Sequence, residues 1–144
     1  MTERSKIIRF SACDIERLLF RMSSQFTPPL SQQVDIQGYA SKLSEHAEFL
    51  IMDAEQVDSL VAFYTNHKEH KAYIPLVWVD GAKRRRGIGV RMLTELHRHI
   101  KSEGIETVGL EVHKNNSSAY SLYSRLGYRV VEDRNNKWLM CFDL

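Results

Sequence analysis

The segment Arg84-Arg85-Arg86-Gly87-Ile88-Gly89 joins a strand-like run, Tyr73 to Val79, to an amphipathic helical pattern. It therefore commits the middle of the chain to a strand, a basic glycine-containing turn and a helix in immediate succession. Arginine supplies fixed positive charge. Glycine lets backbone amides approach an anion at a helix N-terminus, where unpaired N–H groups and the helix dipole already favour negative charge. A pyrophosphate would fit that place. Downstream, Ile88, Met92, Leu93, Leu96 and Ile100 recur at helical spacing, and Gly104 stands where a C-terminal cap would. The spacing Arg84-x-x-Gly87-x-Gly89 is not the dinucleotide fingerprint, which needs three glycines, and it lacks the Lys-Ser/Thr ending of a P-loop. Taken alone, it is also compatible with a strand-to-helix turn carrying a solvated basic cluster.

A second motif, Asn116-Ser117-Ser118-Ala119-Tyr120-Ser121-Leu122-Tyr123-Ser124-Arg125-Leu126-Gly127-Tyr128, reads as one short helix. Asn116 caps its start, Ala119, Leu122 and Leu126 form an apolar stripe, and Gly127 suits the left-handed position that ends it. At about 100° per residue Asn116 and Tyr123 lie on nearly the same line of the helix, roughly 10 Å apart along its axis. Tyr123 sits at the edge of the stripe, where its ring can pack inward while its hydroxyl points into a crevice.

Together the two motifs resemble the GNAT superfamily of acyl-CoA-dependent N-acyltransferases. Val79-Asp80-Gly81-Ala82-Lys83 leading into Arg84-x-x-Gly87-x-Gly89 is similar to the family's cofactor loop, Q/R-x-x-G-x-G/A. Leu110-x-Val112 running into Asn116-x-x-Ala119-x-x-Leu122-Tyr123-x-x-Leu126-Gly127-Tyr128 is similar to its second motif. The resemblance is strongest from about Val77 to Tyr128; Ile7 to Phe10 followed by Ser11-Ala12-Cys13-Asp14 resembles the family's opening strand and helix. It implies one N-acetyltransferase domain over residues 1–144, in the α/β (α+β) class. The implied sheet is mixed and mostly antiparallel, of about six to seven strands flanked by about four helices, and splayed between the strand at 73–79 and the strand at 107–112. Pro75, which cannot donate a ladder hydrogen bond, would be at home in a bulge or splay there, or in an ordinary edge strand.

What the resemblance implies for function is direct transfer of an acetyl group from acetyl-CoA to a primary amine, with no covalent enzyme intermediate. Val77, Trp78, Val79, Arg84, Arg85, Arg86, Gly87, Ile88, Gly89, Val90, Asn116 and Tyr123 are the expected cofactor-binding residues. The chemistry needs a neutral amine, a polarised thioester carbonyl and a proton for the departing thiolate. Backbone amides around Val77 to Val79 are candidates for the carbonyl. Tyr123 occupies the family's general-acid position, and a phenol stays protonated at neutral pH. Glu111 is the expected base. His113 lies on the same face of its strand, Tyr73 lies on the neighbouring strand, and water remains an alternative because a free amine also loses its proton to solvent.

Composition fits this reading. A chain of 144 residues with 43% hydrophobic content suffices for one compact domain with a core. Cys13 and Cys141 form neither a framework nor a CxxC pair, and no membrane-length apolar run or N-terminal signal is present, so the default expectation is a cytoplasmic protein. A net charge of +2 is too small to argue for a nucleic-acid or membrane partner, although Lys83 to Arg86 concentrates charge locally, and neither partner is expected. The expected partners are acetyl-CoA and an amine acceptor, with a homodimer left open. No metal is expected: His67 and His70, three apart, lack a third ligand, and His97 and His99 are two apart on a helix and do not face one another.

The remaining pattern supplies a first helix around Ile15, Leu18, Leu19 and Met22, with Ser11 and Asp14 as a capping-box variant. A break at Pro28-Pro29 precedes a second helix around Ile36, Ala40 and Leu43. Phe49 to Met52 and Leu60 to Asn66 read as a hairpin joined through Asp53 to Asp58, and Arg129 to Glu132 and Lys137 to Asp143 as the last strands. The acceptor is expected among small-molecule or peptide amines. Protein N-termini or lysines, and a non-catalytic acyl-CoA-binding module, are the alternatives: the resemblance implies that acceptor choice falls largely to the segment after the first helix, here 26–47, and to the hairpins, where Phe26, Pro28, Pro29 and Tyr39 are apolar and Asp35, Glu45 and Glu48 acidic, and packing or a solvated face explains both sets equally well.

Overall fold

The computed structural model describes residues 5–26, 28–52 and 56–144. The first strand, β1 (Ser5–Ile8), begins and ends two residues before the run expected from its hydrophobicity. Ser11 then caps α1 (Ala12–Met22), its hydroxyl accepting from the Asp14 amide at 3.2 Å, and Ile15, Leu19 and Met22 bury one helical stripe. After the prolines comes a single turn, α2 (Leu30–Gln33), and then α3 (Ile36–His46), capped by Asp35 through the Gly38 amide at 3.2 Å. The hairpin follows as β2 (Glu48–Met52) and β3 (Ser59–Asn66); residues 53–55 of the expected connection 53–58 lie outside the described residues. The chain continues through β4 (Lys71–Val79), α4 (Ile88–Ser102), β5 (Thr107–His113), α5 (Ser117–Leu126), β6 (Arg129–Arg134) and β7 (Lys137–Asp143). Among the described residues no helix is long and apolar enough to cross a membrane.

The seven strands form one sheet in the order β1-β2-β3-β4-β5-β7-β6, antiparallel except where β4 and β5 run parallel. That parallel ladder is short. Lys71 to Ile74 pair with Thr107 to Leu110, and beyond them the strands separate, although β4 stays paired with β3 up to Val79 and β5 with β7 up to His113. The opening therefore starts at Pro75, whose missing N–H costs nothing where there is no neighbour to receive it.

A bulge accompanies it. Ala62 faces Leu76 and Tyr64 faces Tyr73, so β4 carries one residue more than β3 across that interval. An extra residue inverts the alternation of side chains. Ala72 and Ile74 point into a core built with α4, whereas Leu76 and Trp78 point to the opposite face, against α1 and α3. The α4 core takes Met92, Leu93, Leu96 and Ile100, all fully buried, each worth about 1.5–3 kcal/mol in apolar burial.

Behind α4 an aromatic cluster ties it to the C-terminal hairpin. His97 stacks on Phe142 with centroids 4.6 Å apart, and its Nε2 shares a 2.6 Å hydrogen bond with the Tyr128 hydroxyl. Gly127, at φ 110°, leaves room for this stack, since a Cβ there would stand 2.9 Å from the Phe142 ring. Burial pushes the His97 imidazole down to about 4. The unfolded chain then binds the extra proton between about pH 6.5 and 4, so stability is full above pH 6.5 and falls as the pH drops through that window. We expect a loss on the order of 1–2 kcal/mol, reduced from the full linkage value because the ring is partly exposed. Urea denaturation at pH 7.5 and 4.5 should show it, with a flatter pH dependence in His97→Leu; equal slopes would contradict the assignment.

Candidate active site

The separation of β4 from β5 opens two cavities that meet. The larger, about 720 Å³, runs between the end of β4, the 84–90 loop and the start of α5. The smaller, about 280 Å³, lies between α2, α3 and the outer halves of β4 and β5. Phe26, Val77, Asn116, Ala119 and Tyr123 line both.

The wall of the larger cavity contains Val77, Trp78, Val79, Arg84, Arg85, Gly87, Ile88, Gly89, Val90, Asn116 and Tyr123, eleven of the twelve residues expected from the sequence; Arg86 is exposed and stands outside that wall. Gly87 is the N-cap of α4, left-handed at φ 74° and ψ 11°, and no side chain caps the helix. The first amides of α4 are thus left for an anion. Space beside Gly87 is open: a Cβ there would meet no atom within 4 Å. Arg85, also at positive φ (66°), helps curl the loop.

Arg84 behaves differently from the simple clamp that its charge suggests. Its Nε donates to the Val79 carbonyl at 3.1 Å and its Nη2 to the Gln25 carbonyl at 3.2 Å. Arg84 therefore ties the loop to the end of β4 and to the turn after α1. Gln25 completes that tie, its Oε1 accepting from the Trp78 indole at 3.2 Å and the Gly81 amide at 2.8 Å. The Trp78 side chain is only 2% exposed, on the α1/α3 face. Because the Asp80 amide bonds back to Asp58 next to β3, alternation turns the peptide groups of Val77 and Val79 toward the opening and that of Trp78 toward β3.

Tyr123 stands at the junction. Its ring is buried, tilted against Tyr128 at 5.7 Å, and burial pushes its phenol well above the ordinary tyrosine value. Asn116 caps α5 as its position implies, with Oδ1 accepting from the Ala119 amide at 3.1 Å.

Glu111 lines only the smaller cavity. Both its oxygens have partners: Oε1 accepts from the Tyr73 hydroxyl at 3.0 Å, and Oε2 is 3.6 Å from the Arg134 guanidinium. Burial, then the Glu111 charge, pushes the Tyr73 phenol up, so Tyr73 stays a donor. His113 is on the same face; its Nε2 is 3.0 Å from Gln33 Oε1, and burial, then Lys137, pushes it below the usual imidazole range. From α3 the Tyr39 hydroxyl reaches the Pro75 carbonyl at 3.1 Å, clasping the bulge. Gln33 and Tyr39 join the site from the segment before β2 and Arg134 from the last hairpin, and only the tertiary fold brings them together.

A family model described as "Acetyltransferase (GNAT) family" matches residues 14–128. The chain belongs to this acetyltransferase family. Among its relatives, "GCN5-related N-acetyltransferase 6, chloroplastic" of Arabidopsis thaliana is 40% identical over 60 residues, which cover 42% of this chain and 21% of that protein. The chain thus spans about a fifth of that protein's length. A [Ribosomal protein bS18]-alanine N-acetyltransferase of Haemophilus ducreyi is 28% identical over 98 residues, 67% of this chain and 68% of the relative. In architecture the chain is similar to the PaiA N-acetyltransferase of Thermoplasma acidophilum, whose crystal structure is a complex with coenzyme A. The TM-score is 0.76 at 20% identity, over 98% of this chain and 99% of that one. Family membership accounts for a GNAT sheet that opens between β4 and β5.

Proposed function

We propose that this GNAT protein transfers an acetyl group from acetyl-CoA directly to a primary amine. The observation that carries the reading is the meeting of two cavities at Tyr123, one walled by an anion-ready loop and the other by Glu111. The residues fit acyl-CoA: the uncapped amides of Ile88, Gly89 and Val90 suit a diphosphate, with Arg85 beside them, and Val77 and Val79 offer peptide groups along the strand. Bound there, acetyl-CoA would supply the activated thioester. Asn116 borders the path between the cavities, Trp78 and Arg84 hold the strand end and loop in place, and Arg86 contributes charge from outside the wall.

The protein's own part in the reaction is then positional and acid–base. Amides of Val77 and Val79 steady the thioester oxygen as negative charge gathers on it. Glu111 receives the ammonium proton of the acceptor, directly or through a water, so that a neutral amine attacks. The Tyr123 phenol, kept protonated by burial, donates to the departing thiolate sulfur. A small-molecule or peptide amine is the acceptor class we favour. The α-amine of a protein N-terminus is the second reading, favoured by the similarity to an enzyme named for alanine N-acetylation of a ribosomal protein.

An amine panel assayed by acetyl-CoA-dependent thiol release tests this, comprising polyamines, lysine and short peptides beginning with alanine. We expect saturable turnover on at least one member. Glu111→Gln should lower its rate most at low pH and regain part of it as rising pH supplies free amine. Acetyl-CoA binding without thiol release on any member would favour a binding module. Superimposed wild-type and Glu111→Gln profiles at saturating acetyl-CoA would remove Glu111 from the base role and leave it to His113 or water.

A further inference from the structure

We propose that the C-terminal end of α4 carries a divalent transition-metal site, formed by Glu48, His99 and Glu103 with His67 as the fourth ligand. The four come from three elements. Glu48 opens β2, His67 sits in the β3–β4 turn, and His99 and Glu103 are one helical turn apart at the end of α4. Donor atoms of Glu48, His99 and Glu103 all lie within 4.8 Å of one another. His99 Nε2 is 2.7 Å from Glu103 Oε1, and His67 Nε2 is 4.0 Å from the other oxygen, Glu103 Oε2. Glu103 is therefore the hub between two imidazoles that the sequence separates by 32 residues.

The donor chemistry selects the ion. Two imidazole nitrogens with two carboxylates suit Zn²⁺ or a similar first-row ion, whereas Mg²⁺ and Ca²⁺ favour all-oxygen sets. Metal bonds of about 2.0–2.2 Å in a tetrahedron put donors roughly 3.3 Å apart; Glu48, His99 and Glu103, within 4.8 Å of one another, are near that spacing, and His67, which stands outside that trio and 4.0 Å from Glu103, would have to swing in to complete the set. His99 is held edge-on by Phe63 at 6.1 Å between centroids, which limits how far its ring must be ordered. Competing contacts are modest: Arg9 stands 4.0 Å from Glu48, and Thr65 Oγ1 is 3.4 Å from His67 Nε2. His70, the other histidine of that turn, faces away to the Gly104 carbonyl at 3.2 Å. His99 is twelve residues along α4 from Gly87, about 18 Å from the proposed acyl-CoA loop at 1.5 Å per residue. Metal there would clamp β2, the β3–β4 turn and α4 together without touching the reaction.

Calorimetric titration of the full chain with ZnCl₂, and of a parallel sample with CoCl₂ followed by visible absorption, tests the proposal. We expect one equivalent bound, the visible band of four-coordinate Co²⁺, and a melting temperature that rises with the logarithm of free zinc. His99→Ala should weaken binding by at least about tenfold, on the scale set by lost metal-site groups. His67→Ala should weaken it too, while His70→Ala and Cys13→Ser should bind as wild type does. No saturable binding overturns the site. So does binding that survives His99→Ala, or that vanishes in Cys13→Ser, the exposed thiol being then the real ligand.

Discussion

Gly87→Glu is expected to weaken acetyl-CoA binding by at least about 10²-fold in a protein that still folds. The substitution places a carboxylate at the uncapped start of α4, where the open space beside Gly87 is proposed to receive the diphosphate. A loss of two or three charge-assisted hydrogen bonds, at roughly 1.5–3 kcal/mol each, accounts for that magnitude. Gly87 is left-handed at φ 74°, so any side chain adds about 1–2 kcal/mol of backbone strain. Gly87→Gln separates the two causes, because glutamine carries the same bulk and strain and brings no charge. Calorimetry should find much weaker binding in Gly87→Glu than in Gly87→Gln, with matching circular dichroism. Undiminished binding in Gly87→Glu would remove the loop from the cofactor site.

Tyr123→Phe is expected to lower kcat by about 10²-fold or more, or ~2.7 kcal/mol in barrier height, with little change in acetyl-CoA affinity. The phenylalanine ring keeps the contact with Tyr128 and the burial of Tyr123; only the proton donor is gone. A residue that merely packs would show a stability change and normal chemistry. Near-normal turnover in this variant, with the chemical step shown to limit the rate, would assign Tyr123 to the core alone.

Much of this was legible in the sequence because the informative signals are local. The α4 stripe, the Ser11 and Asn116 caps and the Gly127 terminus each need only the few residues around them, and each is found where its pattern put it. The separation of β4 from β5 is implied by the family resemblance; Pro75 is compatible with it and equally with an edge strand, and it stands where the pairing stops. What escaped is of two kinds. The turn α2 is four residues long, too short for any periodicity to register, so an expected count of about four helices became five among the described residues. Long-range partners are invisible to spacing: the tie between Arg84 and the Gln25 carbonyl crosses 59 residues, and that between Tyr73 and Glu111 crosses 38. The charge of Arg84 suggests an anion contact and gives no sign that its guanidinium also donates to two backbone carbonyls.

The extra residue in β4 has an evolutionary side. Strand alternation already feeds one core on each face of the sheet, and the extra residue reverses its phase, so that Ala72 and Ile74 join the core built on α4 and Leu76 and Trp78 the core built on α1 and α3. Strain passes between the halves at a few named ties, Arg84 to the Gln25 carbonyl and Tyr39 to the Pro75 carbonyl among them. If α2 and α3 face the acceptor as proposed, point mutations there and away from those ties would alter acceptor choice with little effect on the proposed acyl-CoA loop. A change in the number of residues between Tyr73 and Leu76 would act on both at once, since it would exchange the inward and outward faces of the strand end that lines both cavities.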